Sequence, residues 1–232
     1  MLILGMETST PQPSVTIGSE QGIIGSCLVS RGVTHGEFLL PAVDFLMRQA
    51  GLTYRNLSAV AVGLGPGLFT GMRVGIATAK TVAQALSIPI IGVSSLDLLA
   101  FEARYSPRLI CPVVDARRGE VFYAFYRQLP GGVSRTSEYL MGSPENLVAE
   151  IEGNGADTLL IGNGALVYRR RLEEAKKAEF GTITHAFPRA SSLVELAVAR
   201  LYREDFERLF DLEPMYMRRS DAEINWELRR GP

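Results

Sequence analysis

Two cysteines, Cys27 and Cys111, are all the thiols the chain holds. That number excludes a disulfide framework and points to a reducing, cytoplasmic setting. Both lie in apolar, strand-like runs, where a free cysteine behaves as a small hydrophobe. Histidine is as scarce. His35 and His185 have no second His or Cys at metal-ligand spacing, and no nucleophile–base arrangement surrounds them, so both read as structural. Neither sign of charge dominates: 24 Lys and Arg stand against 25 Asp and Glu. No basic excess is available to grip a nucleic-acid backbone unaided. The clusters Arg169-Arg170-Arg171, Arg218-Arg219 and Arg229-Arg230 read as solvated faces or tail. No apolar run reaches the length of a membrane span, and no charged segment followed by an apolar one opens the chain. The expectation is a soluble, unprocessed protein with no membrane contact.

What is present is core-forming sequence. Hydrophobic residues make up 47% of the 232 positions and charged residues 21%, enough for one large domain or two small lobes. The most informative stretch is Gly63-Leu64-Gly65-Pro66-Gly67-Leu68-Phe69-Thr70-Gly71-Met72-Arg73-Val74-Gly75. A strand-like run, 57–62, precedes it, and a helical segment rich in small residues, 72–86, follows. Strand, glycine-rich turn and helix start together can cradle an anion. The same glycines would also serve a tight turn packed closely on a sheet. The spacing matches neither the Walker A pattern nor the dinucleotide fingerprint.

Around this stretch, strands and helices alternate. A strand at 2–6 and a hairpin at 14–17 and 23–29 precede a helix at 35–50. That helix has two apolar faces, one carrying Leu39, Val43 and Leu46, the other Phe38, Ala42 and Phe45, which exceeds the need of a surface helix. Pro41 argues for a late start or a kink. A strand at 89–93 and a helix capped by Ser94 or Ser95 complete a first block. The pattern then restarts, with strands at 109–114 and 120–127, a helix opened by Ser143-Pro144, a strand at 158–161 and a helix at 190–210. Two successive blocks predict an α/β protein of two related lobes, 1–105 and 106–232, divided near Tyr105-Ser106-Pro107; the last helix has the option of packing back on the first lobe. Glu7 ends the first strand and Asp115 the first strand of the second block. Each either faces a nucleotide cleft as a magnesium-side carboxylate or caps its own turn.

The order of motifs resembles one family. Met6-Glu7-Thr8-Ser9-Thr10, His35-Gly36-Glu37-Phe38-Leu39-Leu40-Pro41, the loop 65–75, Gly92-Val93-Ser94-Ser95-Leu96 and Asp115-Ala116-Arg117-Arg118-Gly119-Glu120-Val121 together resemble the TsaB (YeaZ) family. The likeness covers roughly the first half of the chain, with Pro214-Met215-Tyr216-Met217-Arg218 as a late echo. It implies the two-lobed actin-like ATPase fold of Hsp70, actin and sugar kinases. It also implies a non-catalytic subunit of the bacterial machinery that makes threonylcarbamoyladenosine at position 37 of tRNA. The implied partners are a metal-bearing, TsaD-like catalytic paralogue and a TsaE-like ATPase, with a homodimer when alone and tRNA met only indirectly. Where the catalytic paralogue carries Asn-His-x-x-x-His, this chain has Ser95 and Leu99 at the ligand positions, which cannot replace two imidazoles. The resemblance implies no bound cofactor, ATP or ADP with magnesium entering only in the complex; a nucleotide cleft would fall at Glu7, Gly65, Gly67 and Thr70. Glu7 departs from the family's usual aspartate. Pairing through the first two helices would place Phe38, Ala42, Phe45, Gly75, Ala79, Val82 and Ala83 at or near an interface. The alternative to the scaffold is a small actin-fold kinase acting on a metabolite with ATP and magnesium. A peptidase lacks both metal ligands and a Ser/His or Cys/His constellation.

Overall fold

The structure is a computed structural model that describes residues 1–30 and 34–218. Arg219, Arg229 and Arg230 therefore lie outside the described residues. Strands β1 (Ile3–Glu7), β2 (Ser14–Ser19) and β3 (Gly22–Leu28) form an antiparallel meander. After helix α1 (His35–Gln49) come β4 (Ala59–Gly63), helix α2 (Phe69–Leu86) and β5 (Ile90–Val93). β4 joins β1, and β5 joins β4, in parallel, so the sheet runs β3-β2-β1-β4-β5. Helix α3 (Ser95–Glu102) leads into the second block: β6 (Leu109–Arg117), β7 (Glu120–Tyr123), β8 (Tyr126–Leu129), β9 (Gly132–Arg135), β10 (Leu140–Gly142), α4 (Pro144–Asn154), β11 (Thr158–Ile161), α5 (Asn163–Val167), α6 (Arg169–Leu172), β12 (Ala178–Phe180) and α7 (Ala190–Tyr202). Its sheet runs β10-β7-β6-β11-β12, with the β8–β9 hairpin attached to β6. The two paths match position for position, and in each the last two strands are parallel to the first.

Local chemistry explains most of the boundaries. Thr34 and Glu37 form a capping box that starts α1 at His35, and the helix runs through Pro41 without a break in its assignment. The proline ring and the carbonyl it leaves unpaired, that of Glu37, lie on the exposed side where water reaches them. Ser94 caps α3, and Ser143 caps α4 ahead of Pro144. The expected strand 120–127 is two strands, because Ala124 and Phe125 carry the chain from β7's place beside β6 into the hairpin. The expected helix 190–210 stops at Tyr202. Arg200 reaches forward to Asp205 and Glu207, and Glu207 bridges to Ile90 on β5, so the chain after α7 lies against the sheet edge instead of extending the helix.

α1 and α2 cover one face of the first sheet, where Leu39, Val43, Leu46, Ile76, Ala79 and Ala83 pack on Leu4, Met6, Val60 and Val62. α7 covers the other face through Leu193, Val194 and Ala197 against Ile3, Ala59 and Ala61. α3 packs Leu96, Leu99 and Ala100 on Ile110, Val114 and Tyr126 of the second block. Asp97 of the same helix accepts hydrogen bonds from Tyr126 Oη at 2.6 Å and Tyr139 Oη at 2.9 Å. Burial and the adjacent Asp97 carboxylate push Tyr139 up to about 12 and Tyr126 further, so both phenols stay protonated as donors. No described helix is long and apolar enough to cross a membrane.

Candidate functional site

The glycine-rich loop lies between the end of β4 and the start of α2, against the β1–β2 loop. Leu68 N donates to Ser9 O at 2.6 Å, and Thr8 Oγ1 donates to Gly71 O at 2.8 Å. A Cβ on Gly63 would overlap the Glu7 carboxyl, and one on Gly75 would overlap Thr8 Oγ1. These glycines exist for close backbone approach, so this end of the loop is filled by the chain's own β1–β2 segment.

Glu7 is fully buried. One carboxyl oxygen accepts from Ser9 N at 2.6 Å and the other from Ser95 Oγ at 3.0 Å. Desolvation raises its pKa, against the opposing pull of bonds from Ser9, Ser95 and Thr8. Beside it, Ser95 N donates to Gly65 O at 2.7 Å. Glu7, Gly65 and Ser95 thus form one enclosed cluster, while Leu99 is buried in the apolar core between α3 and the second sheet. Among the described residues no cluster of His, Cys, Asp and Glu could hold a metal ion.

The four residues expected to share a nucleotide cleft do not converge. Glu7 and Gly65 are buried within the enclosed cluster, whereas Gly67 and Thr70 line an open recess of about 440 Å³ at the start of α2. Asp115 reaches the rim of the same recess from the other lobe. Its Oδ1 accepts from Arg117 N at 2.9 Å and from Tyr168 Oη at 3.1 Å, which fastens its own turn. His35 Nε2 contacts Thr10 O at 2.8 Å, and His185 Nδ1 contacts Thr182 Oγ1 at 3.1 Å. Both histidines hold local backbone or turn structure.

The residues expected at a partner interface divide in two. Gly75, Ala79 and Ala83 face the sheet, and Phe38 and Ala42 are buried in the same core. Within this chain α2 turns its small-residue side to its own sheet, and α1 buries Phe38 and Ala42 in the same core. Phe45 is half exposed and Val82 partly buried. The outer face of α1 also carries Leu40, half exposed, and Pro41. Leu40 lay outside the two apolar stripes read from the sequence, although its place one turn before Asp44 marks it as outward. The recess adds a group that no sequence motif joined: Arg73, Arg117, Arg118 and Arg218, with Phe69 and Tyr216.

Comparison with known proteins agrees with this geometry. Residues 29–226 match the family model described as TsaD: tRNA N6-adenosine threonylcarbamoyltransferase. The tRNA threonylcarbamoyladenosine biosynthesis protein TsaB of Bacillus subtilis is 29% identical over 228 residues, covering 97% of this chain and 98% of the relative. The solved structure of YeaZ from Pseudomonas aeruginosa superposes with a TM-score of 0.81 at 28% identity, over 93% of this chain and 99% of that one. The ROK hexokinase of Thermus thermophilus, at 12% identity and a TM-score of 0.50 over 85% of this chain and 98% of its own, shares the actin-like fold alone.

Proposed function

The chain belongs to the TsaB (YeaZ) family, and on that premise we propose that it is a TsaB-type subunit of tRNA threonylcarbamoyladenosine synthesis that docks a metal-bearing, TsaD-like catalytic paralogue without performing the chemistry. The observation that carries this reading is the Glu7–Ser95 hydrogen bond. It turns the catalytic end of the cleft into a sealed internal contact, with Ser95 and Leu99 standing where the paralogue has imidazoles. A fully buried carboxyl whose two oxygens already accept from Ser9 N and Ser95 Oγ also offers a metabolite kinase no open magnesium-side group, so that alternative is no better supported. The chain binds no cofactor of its own in this reading; ATP or ADP with magnesium enters in the complex, beside a TsaE-like ATPase. Without partners the same surface forms a homodimer, in the cytoplasm.

The outer face of α1 supports the docking role, because Leu40 and Phe45 are large apolar side chains left half exposed beside a well-packed core. The test is light scattering of the purified chain with the TsaD-like paralogue from the same cell, repeated with Leu40→Asp and Phe45→Asp. These positions are solvent-facing, so both variants keep their fold, which thermal melting checks. The expected result is a stoichiometric complex weakened by about 2 kcal/mol or more, roughly 30-fold, in at least one variant. No complex with the unmodified chain overturns the proposal.

A further inference from the structure

The chain passes from the first lobe to the second at 103–108 and back at 186–189, and these two crossings lie side by side. At the first, α3 ends on Glu102, and Leu109 N donates to Asp157 O at 3.0 Å as β6 enters the second sheet. At the second, His185 O accepts from Gly162 N at 2.8 Å in one lobe, and Ala190 N donates to Ser14 Oγ at 3.0 Å in the other. Only a short piece of chain therefore separates residues fixed to different sheets. Glu102 ties the crossings together. Ser192 Oγ donates to its Oε1 at 3.0 Å, and the Arg189 backbone amide also bonds its carboxyl. Arg189 is the N-cap of α7 and gives the helix no side-chain cap of its own. The last residue of α3 thus caps α7 from across the seam. A second tie runs from Arg104, over the Phe101 ring at 4.0 Å, to Glu195 of α7 at 2.9 Å. We propose that this seam is a latch between the lobes, shut while Glu102 holds its proton and parted when the carboxyl ionises and turns to water.

The groups around Glu102 come from three elements. Arg104 follows it at the end of α3. Arg189, Ser191 and Ser192 stand at the start of α7, with Glu195 one turn on and engaged by Arg104. Thr184 and His185 belong to the turn Ile183–His185, where His185 Nδ1 contacts Thr182 Oγ1. The first amides of α7, Ser192, Arg189 and Arg104 favour a charged carboxylate, whereas burial and the C-terminal carbonyls of α3 disfavour it. Burial is the larger effect and pushes Glu102 up to about 7. Ser192 is buried, and a recess of about 210 Å³ borders the pair, so hydrating the carboxylate needs α3 and α7 to move apart by little. α3 packs on the second sheet and α7 on the first, so that movement is a rotation of one lobe against the other. The shut seam binds the proton more tightly than a parted seam, where Glu102 returns to the ordinary carboxylate range. The parted-to-shut ratio then rises tenfold for each pH unit from about 4.5 to about 7 and levels off above.

The test measures the distance between the lobes by pulsed dipolar spectroscopy. Spin labels go on Arg55→Cys in the first lobe and Arg170→Cys in the second, both exposed positions, with Cys27→Ser added and buried Cys111 left in place. Thermal melting checks each variant at each pH. The labelled chain should show two interlobe distances, the second growing about thirtyfold relative to the first between about pH 5.5 and pH 7, with little change beyond. Glu102→Gln keeps an acceptor for Ser192 and cannot ionise, so it should hold the first distance throughout. His185→Gln, which removes the other titrating group of the recess, should respond as the parent does. Arg189→Gln takes away a cation that favours the charged carboxylate, so its midpoint should move to higher pH. This last variant decides the matter if Glu102→Gln does not fold. A single, pH-independent distance in the parent overturns the inference. So does a response that survives in Glu102→Gln, one that disappears in His185→Gln, or an Arg189→Gln midpoint that stays in place. The measurement uses the chain alone, so its outcome is independent of the function proposed above.

Discussion

The β1–β2 loop and the β6–β7 turn occupy equivalent places in two sheets of identical strand order, yet they have opposite surroundings. The first is sealed. Glu7, Thr8, Ser9 and Thr10 are all buried, and they bond to the glycine loop, to α1 and α3, and to one another. The second is open. Asp115 fastens the turn from below while Arg117 and Arg118 stand at the rim of a recess. An acidic residue lies at or near the end of the first strand of each sheet, Glu7 closing β1 and Asp115 two residues before the end of β6, so residue type does not separate them; burial does. In the first lobe the Glu7 carboxyl is an internal hydrogen-bond acceptor. In the second, a carboxylate and its turn remain available to present charge.

The strongest way to break this comparison is to add a methyl group to each loop. Gly63→Ala should destabilise the protein by about 3 kcal/mol, because the Cβ collides with a carboxyl that has nowhere to move. Gly119→Ala meets open space and should cost only about 1 kcal/mol, from its positive φ of 80°. Urea denaturation measures both, and equal costs would show that the first loop is not sealed.

The next effect is pH-dependent. Burial raises the Glu7 pKa in the folded protein above its unfolded value, so the folded state binds the proton more tightly. Stability from this group is then fully present at pH below about 4.5 and is lost as pH rises toward the folded pKa. Glu7→Gln removes the titrating group and can still accept from Ser9 while turning its amide to Ser95. We expect a flatter stability–pH profile and a variant more stable than wild type at pH 8. A variant that is less stable than wild type at that pH would mean the carboxylate is charged and well solvated. The smallest effect belongs to the open turn: Asp115→Asn keeps an acceptor for Arg117 N and Tyr168 Oη and gives up only a long ion pair to an exposed arginine. It should cost less than about 1 kcal/mol by thermal melting.

Much of the framework was legible along the chain because it depends on neighbours in sequence. The Ser143 cap, the Pro144 start, a serine cap on α3 (Ser94 of the two candidates) and the strand–glycine–helix unit are short-range features and are all present, although α2 starts at Phe69, three residues before the expected Met72. The mismatch at Ser95 and Leu99 was equally readable, since side-chain chemistry alone decides what can ligate a metal. The direction of α2's small residues was not. A stripe at Gly75, Ala79 and Ala83 permits close approach of any backbone, and only packing decided that the backbone is this chain's own β1–β2 region and first sheet. The end of α7 was hidden for a similar reason, because Glu207 bonds to a strand more than a hundred residues earlier.

By itself, then, the sequence determined the alternation of elements in two successive blocks, which follows from periodicity, capping and turn chemistry acting over a few positions; the actin-like class and the lack of both paralogue imidazoles followed from the resemblance its motifs carry. Tertiary structure decided that Glu7 is enclosed, that Phe45 and not Ala79 faces outward, and that Arg73, Arg117, Arg118 and Arg218 meet around one recess. Burial and electrostatic convergence are properties of distances in space, and linear spacing fixes those distances only within a single helix or strand.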